Sequence, residues 1–265
     1  MRKNILIIVL CLAMLAMLTQ VTSAQDDLFA KILQKGELVI GTDMTAIPMQ
    51  YRDNDGNPTG FTVELMELMG QKLGVKITWV DYQWESLIPS LLSGKVDMLA
   101  ANMSMTLERM KTIRFSNPYF LTGIACVARK DSKFESWEEL DSPDVTIGTT
   151  MGSVHAQFIE NNMKAKVSLY DNRSEYLTEL KNGRIDAVMD DEIICLDIAK
   201  TEPDIKLLNG LVRADIYGLT FRQGPETDRL VEWVNNFLVN VKLMGDYGQL
   251  YEKYFGKKWE PSWID

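Results

Sequence analysis

Apolar residues recur through 61–73 at helical spacing (Val63, Leu65, Met66, Leu68, Met69), and Gly74 just beyond offers a left-handed stop. This pattern predicts a helix over 61–73. Ahead of it, 38–42 reads as a short buried strand, after an amphipathic lead-in carrying Leu28, Ile32 and Leu33. Residues 75–80 make a second strand, and Asp53-Asn54-Asp55-Gly56-Asn57-Pro58 is a turn. The same grammar returns past residue 126, with strand 145–149, helix 154–163 and strand 167–170. Near the end, 217–222 is a further strand, and 230–241 and 247–255 are helices with aromatic faces. Strands alternating with helices of roughly 10–15 residues predict βαβ units, hence an α/β fold with largely parallel sheets.

Part of this pattern is written twice. Residues 85–102 read ESLIPSLLSGKVDMLAAN, and 174–191 read SEYLTELKNGRIDAVMDD, starting 89 positions later (85 to 174). Each copy is an apolar-periodic helix, a Gly stop (Gly94, Gly183), a basic residue and a short strand ending at Asn102 or Asp191. A second echo links Val39-Ile40-Gly41-Thr42 with Thr146-Ile147-Gly148-Thr149. A repeat this long implies two similarly built lobes rather than a stacked array. Strand 217–222 and the closing helices then return to the first lobe, giving two crossovers, near 123–126 and near 215–219. The expected division is 25–124 with 218–265 for lobe 1, and 125–217 for lobe 2. A cleft between two such lobes is a natural small-ligand site, and paired crossovers permit hinge closure.

Residues 1–24 read as a cleaved signal peptide. Arg2 and Lys3 give the basic start, 5–18 an uncharged apolar run, and Thr22-Ser23-Ala24 small residues before a cut near Gln25. The run is shorter than the roughly 18–20 residues a membrane span prefers, so export to a periplasmic or extracytoplasmic location is expected. Leu10 before Cys11 is too large for a lipoprotein site. Losing Arg2 and Lys3 takes the formal charge from −9 to −11, which argues against nucleic-acid binding, where basic patches are the rule. Cys126 and Cys195 would remain; two thiols do not make a disulfide framework, and their pairing stays open.

Candidate chemistry collects at strand ends, where ligands bind in doubly wound sheets. The repeat puts Asn102 and Asp191 at equivalent positions. Asn102-Met103-Ser104-Met105-Thr106 then leads to a predicted helix carrying Glu108 and Arg109, with Thr106 as N-cap. A cation in a first helical turn opposes the helix dipole. Arg109 therefore either faces an anion drawn to that helix start or is a solvated side chain paired with Glu108 or Glu64. Asp191, beside Asp190 at the end of an apolar strand, is either a solvated or capping acid or a cation site. Together Arg109 and Asp191 suit a zwitterion, a guanidinium fork for its carboxylate and a carboxylate for its ammonium. Other constellations are thin. His155 is the only histidine and the cysteines lack metal-ligand spacing, so no metal site and no cofactor are expected. No nucleophile-elbow motif supports a catalytic triad through His155. Gly148-Thr149-Thr150-Met151-Gly152-Ser153 lacks the ending of a P-loop and reads as a turn opening the next helix.

These residues resemble the polar amino-acid-binding proteins of ABC importers, solute-binding protein family 3. The carrying stretches are Gly41-Thr42-Asp43, Asp55-Gly56, Gly60-Phe61-Thr62-Val63-Glu64-Leu65, Leu87-Ile88-Pro89-Ser90-Leu91 and 97–119 with Thr106, Glu108 and Arg109. Gly183-Arg184-Ile185-Asp186 and the closing Tyr254-Phe255-Gly256 extend the likeness over nearly the whole chain after the leader. The resemblance implies a type II periplasmic-binding-protein fold of two lobes, each a mostly parallel sheet flanked by helices, joined by two hinge strands. It implies a monomer that delivers an L-amino acid to a membrane permease. By the same likeness Arg109 would bind the ligand α-carboxylate and Asp191 the ammonium. Ser104 would offer a hydroxyl to the carboxylate, and Asn102 a carbonyl to the ammonium. Ser153 and Val154 would supply second-lobe backbone amides, Trp84 an aromatic wall, and Asp43 a polar group near the side-chain pocket.

Two positions depart from the family pattern. Ala46 stands where many relatives carry a stacking aromatic, and Val154 where Thr is common. Asp43, Asp190 and Trp84 suit a basic side chain. The competing expectation is an enzyme on the same scaffold. Cyclohexadienyl dehydratases resemble these proteins but use a glutamate three positions after the strand-end aspartate, and Ile194 occupies that place here. The expected role is binding without catalysis.

Overall fold

The structure, a computed structural model, describes residues 27–261. The leader read over 1–24 lies outside the described residues, and among those described no helix is long and apolar enough to cross a membrane. One curled nine-stranded sheet runs through the molecule. Its strands are β1 (Glu37–Thr42), β5 (Lys76–Asp81), β6 (Met98–Leu99), β7 (Ile113–Arg129), β8 (Thr146–Thr150), β9 (Lys166–Tyr170), β10 (Ala187–Asp191), β11 (Ile205–Leu207) and β12 (Arg213–Arg222). The order is β5-β1-β6-β12-β7-β10-β8-β9, with β11 also on β7. A separate small sheet joins β2 (Thr45–Ala46), β3 (Gln50–Arg52) and β4 (Pro58–Thr59). The helices are α1 (Leu28–Lys35), α2 (Phe61–Leu73), α3 (Leu87–Leu92), α4 (Val154–Asn162), α5 (Arg173–Lys181), α6 (Glu192–Thr201), α7 (Asp228–Met244) and α8 (Asp246–Phe255).

Strand β1 is parallel to β5 and β6, and β8 is parallel to β9 and β10. The strands that meet the middle are antiparallel: β6 with β12, β10 and β11 with β7, and β7 with β12 from Arg213↔Ile124 to Arg222↔Ile113. Each lobe is thus a parallel core closed by an antiparallel strand from the central pair. That pair carries both crossovers side by side, the geometry of a two-strand hinge.

Alternation along each strand builds two cores per lobe. Leu38 and Ile40 face the core under α1, α2, α7 and α8, while Val39 faces the one under α3. In lobe 2, Ile124, Cys126 and Ala128 point to one side, Ala125 and Val127 to the other. Cys195 packs on the Ala125 side and donates to the Ala125 carbonyl at 3.5 Å. Cys126 and Cys195 therefore lie on opposite faces of the sheet, and both are free.

The repeat has a shared skeleton. Asp97 Oδ2 accepts from Val39 N at 2.8 Å, and Asp186 Oδ2 from Thr146 N at 2.8 Å. Arg222 Nη1 donates to the carbonyls of Leu91 (3.1 Å) and Val96 (2.8 Å). Arg129 Nη1 does the same to Leu180 (3.0 Å) and Ile185 (3.1 Å). Each arginine sits at the end of one hinge strand and clamps the loop between a repeat's helix and its strand. This satisfies carbonyls that a helix end leaves open and fixes where Asn102 and Asp191 emerge.

The sequence pattern differs from the structure in its smallest pieces. The 53–58 turn joins β3 to β4, through Asp53 N to the Asn57 carbonyl at 2.9 Å. Strands of two or three residues carry too little periodicity to be read in advance. Leu33, grouped with the apolar lead-in, is 44% exposed, whereas Leu28 and Ile32 pack inward.

Candidate functional site

A cavity of about 420 Å³ opens between the lobes. Asp43, Trp84 and Asn102 line it from lobe 1, and Ser153, Asp190 and Asp191 from lobe 2. The two lobes approach one another beside the cavity. Ala46 packs against the lobe 2 core that holds Ile194, and a Cβ on Gly152 would meet Trp84 Cδ1 at 3.9 Å.

On the lobe 2 side, β10 delivers Asp190 and Asp191. Asp191 is only 7% exposed, and its Oδ1 is 3.1 Å from His155 Nε2. Burial pushes the Asp191 carboxyl above its ordinary range, and the bonded imidazole opposes that rise. Burial disfavours charge on His155, yet the hydrogen bond and charge of Asp191 outweigh it and raise the imidazole above 6.5. His155 falls in the first turn of α4. The turn before it uses Gly152 at φ +72°, which side chains rarely adopt. Ser153 is the N-cap, its Oγ accepting from Ala156 N at 3.1 Å. The Ser153 backbone N–H donates to the Thr150 carbonyl at 3.2 Å, and Ser153 lines the cavity whereas Val154 stands outside the lining residues. Val154 itself is buried in the lobe 2 core, and its N–H belongs to the set a helix start leaves unpaired.

On the lobe 1 side, Asn102 adopts φ 53° and is buried. Asn is among the residues that tolerate this left-handed region. Its Oδ1 accepts from Tyr119 Oη at 3.3 Å, and its Nδ2 has no partner. Asp43 follows the end of β1 and accepts from Gln50 Nε2 and Thr45 Oγ1, each at 3.1 Å. Burial pushes Asp43 up to about 7, and the charge of Asp190 across the cleft adds to the rise.

Ser104 and Arg109 stand one layer back, outside the residues that line the cavity. Ser104 is buried and bridges to Tyr217 of β12. Arg109 Nη1 donates to the Ser104 carbonyl at 3.1 Å, and its guanidinium lies over the Trp84 ring, 5.6 Å from the centroid. Neither predicted acidic partner holds it: Glu108 pairs with Lys111 at 2.5 Å and Glu64 with Lys253 at 2.6 Å. Among the described residues Arg109 has no ion pair. Burial lowers it to about 10, while Asp215 and Asp191 help hold its charge. Thr106 does cap as expected, its Oγ1 accepting from Arg109 N at 3.1 Å. The helix after it is corrected, however, to a single 3₁₀ turn, Arg109–Lys111, because the chain passes directly into β7. Three residues align too few peptide dipoles to draw an anion. Attraction for a carboxylate here would come from the guanidinium itself.

Among the cavity residues that the sequence pattern did not mark are His155, Gln50 and Arg173. His155 was visible as the only histidine, immediately after the Gly152-Ser153 turn, but its bond to Asp191 spans 36 positions. Gln50 and Arg173 sat in segments with no chemical motif. His155, Asp190 and Asp191 each offer one ligand atom within 4.8 Å of the others, the group among the described residues that could hold a metal ion. Hydrogen bonds already engage it: Tyr176 Oη donates to Asp190, and His155 pairs with Asp191.

Comparison with known proteins places the chain in a family. The family model for bacterial extracellular solute-binding proteins, family 3, matches residues 38–257. The chain is similar to the L-cystine-binding protein TcyJ of Escherichia coli (strain K12), 27% identical over 250 residues, which is 94% of this chain and 93% of that one. Among solved structures it is similar to a mutant of ArgBP from T. maritima (33% identity, TM-score 0.81, 86% of this chain and 99% of that chain). ArgBP has also been solved in an arginine-bound form. The ancestral amino acid-binding protein AncCDT-1, a precursor of cyclohexadienyl dehydratase, is as close (33%, TM-score 0.81, 86% and 99%).

Proposed function

Because the chain belongs to family 3 of the bacterial extracellular solute-binding proteins, we propose that it captures a polar L-amino acid with a positively charged far end and delivers it to an ABC permease. One observation carries the reading: Asn102 and Asp191, the equivalent strand ends of the repeat, line the same interlobe cavity. Asp191 receives the ligand ammonium together with the Asn102 backbone. Arg109 turns from the Ser104 carbonyl to hold the α-carboxylate, assisted by Ser104, the Ser153 hydroxyl and the backbone N–H of Val154 at the start of α4, with Trp84 as the wall between. Burial raises Asp43 and the charge of Asp190 across the cleft adds to that rise, so a cation placed between them would be favoured. A solved relative that holds arginine supports the same charge assignment.

Binding by lobe closure makes the ligand a population-shifting agent, favouring the closed form over the open one. Ile194 lines the cavity as an apolar side chain where a dehydratase would carry its general acid, which supports a binding role over a catalytic one. The role as a periplasmic monomer rests on the family resemblance.

Calorimetry of ligand-stripped protein against the twenty amino acids tests the reading. Heat is expected with one or more amino acids whose side chain carries a positive charge, and heat with none of the twenty would count against it. The same titrations near pH 7, in buffers of different ionisation heat, should show proton release, because a cation beside Asp43 draws its carboxyl down from about 7. In the empty protein the sign is opposite. The raised Asp43 carboxyl contributes stability below its unfolded range near about 3.9, and that contribution is lost as pH rises through about 7.

A further inference from the structure

Arg109 has no ion pair among the described residues, and a carboxylate with an unused oxygen stands on the strand beside it. Asp215 belongs to β12, one of the two crossover strands. Its Oδ1 accepts from Ile216 N at 2.9 Å, while its Oδ2 is buried and has no partner. A buried carboxylate oxygen left unpaired is costly, and so is a guanidinium taken partly out of water.

The backbone brings the two together. Residues 103–105 pair antiparallel with β12. Met105 N donates to the Ile216 carbonyl at 3.0 Å, Ser104 bridges to Tyr217, and Gly218 N donates to the Met103 carbonyl at 3.1 Å. Carried one step further, that register sets Asp215 level with Thr106, whose hydroxyl accepts from Arg109 N at 3.1 Å. The Arg109 guanidinium folds back along the same segment and spends one N–H on the Ser104 carbonyl, of the five that an arginine offers. Two carboxylates act on its charge, Asp215 more strongly than Asp191. Asp191 is engaged by His155, whereas the Asp215 Oδ2 is not engaged. Asp215 also acts on His155, but that ring is held between Asp191 at 3.1 Å and Asp190 at 4.0 Å. Arg109 is therefore the better partner for Asp215, and the structure holds the two apart.

Resting on the proposed amino-acid-binding function, we infer that Asp215 is an internal competitor for the ligand carboxylate. It pairs with Arg109 while the site is empty and gives the guanidinium up when an amino acid arrives. An anion beside a carboxylate receptor weakens binding in two ways. Its own contact must be broken, and its charge then repels the incoming carboxylate. Because Asp215 lies on a crossover strand, the exchange takes a charged contact off the hinge as the ligand is gripped.

The test is calorimetry of ligand-stripped protein with L-arginine and L-lysine, joined to a crystal structure of the ligand-stripped wild type. In Asp215→Asn, whichever of the two amino acids binds should bind about ten-fold tighter, within the range that one charge pair exerts near a protein surface. Asp215→Glu keeps the charge and should return most of the way to wild-type affinity. A merely structural role would move both variants towards weaker binding. In the empty wild-type crystal an Asp215 oxygen is expected within about 4 Å of an Arg109 nitrogen. Thermal unfolding shows whether the variants fold, and if Asp215→Asn does not, the crystal structure decides alone. Equal or weaker binding by a folded Asp215→Asn, or Arg109 and Asp215 still apart in the empty protein, overturns the inference and leaves the parent reading standing. Heat with neither amino acid in any of the three proteins overturns both.

Discussion

The two repeat halves share a skeleton and differ at its tips. In both, an aspartate ties the repeat strand to its neighbour (Asp97 to Val39 N, Asp186 to Thr146 N), and a hinge-strand arginine clamps two carbonyls. At the tips, lobe 1 presents Asn102, neutral and left-handed, bonded to Tyr119. Lobe 2 presents Asp191, acidic and bonded to His155. One framework thus holds two chemistries at matched positions. In the proposed binding mode lobe 1 supplies the cation for a ligand carboxylate through Arg109, and lobe 2 supplies the anion for an ammonium through Asp191. A symmetric pair of tips would grip a symmetric ligand head poorly, since a zwitterionic head needs unlike partners.

The comparison breaks first at the tips. Asp191→Ala and Arg109→Ala should each weaken amino-acid binding by about 2–5 kcal/mol, the range for truncating one partner of a buried charged contact. Asn102→Ala should cost less than either, since the proposed contact is through its backbone. Calorimetry of the three variants checks the order, and equal losses at Asn102 and Asp191 would erase the asymmetry.

The skeleton should behave the opposite way. Arg222→Ala and Arg129→Ala each leave two carbonyls without their donor, so each should lower unfolding stability by about 1–3 kcal/mol. The two losses should match within about 1 kcal/mol. Urea unfolding of both variants measures this, and a loss at one arginine alone would show that the clamps are not equivalent.

The smallest expected effect sharpens the tip chemistry of lobe 2. His155→Asn removes a hydrogen bond to Asp191, a net contribution of about 0.5–1.5 kcal/mol. The imidazole is raised above 6.5 in the fold, so its stabilisation is whole below that value and fades as pH rises through the folded value. With one histidine in the chain, its NMR titration is unambiguous. A midpoint at or below 6.5 would remove Asp191 as its partner.

The skeleton was legible in the sequence because it is local and periodic. Gly74 closes α2 where the pattern stops, and the strands and glycines of both repeat copies fall at matched positions. Asp191 and Asn102 could be paired because they end those copies. The contacts that complete the site are not periodic. His155 reaches Asp191 from another element, and Gln50 reaches Asp43 by folding back through strands of two and three residues. Arg109 was legible as a misplaced cation, but for a reason that needed correction: the helix dipole invoked there belongs to a turn of only three residues. Its lack of an acidic partner, rather than a helix, is what marks it.

A crystal structure of the protein with its amino acid bound tests the central claim most directly. The account predicts the ligand ammonium within about 3 Å of the Asp191 carboxylate and the α-carboxylate within about 3 Å of the Arg109 guanidinium. Ligand density elsewhere, or Arg109 still bonded to the Ser104 carbonyl with the carboxylate held by other groups, would contradict it.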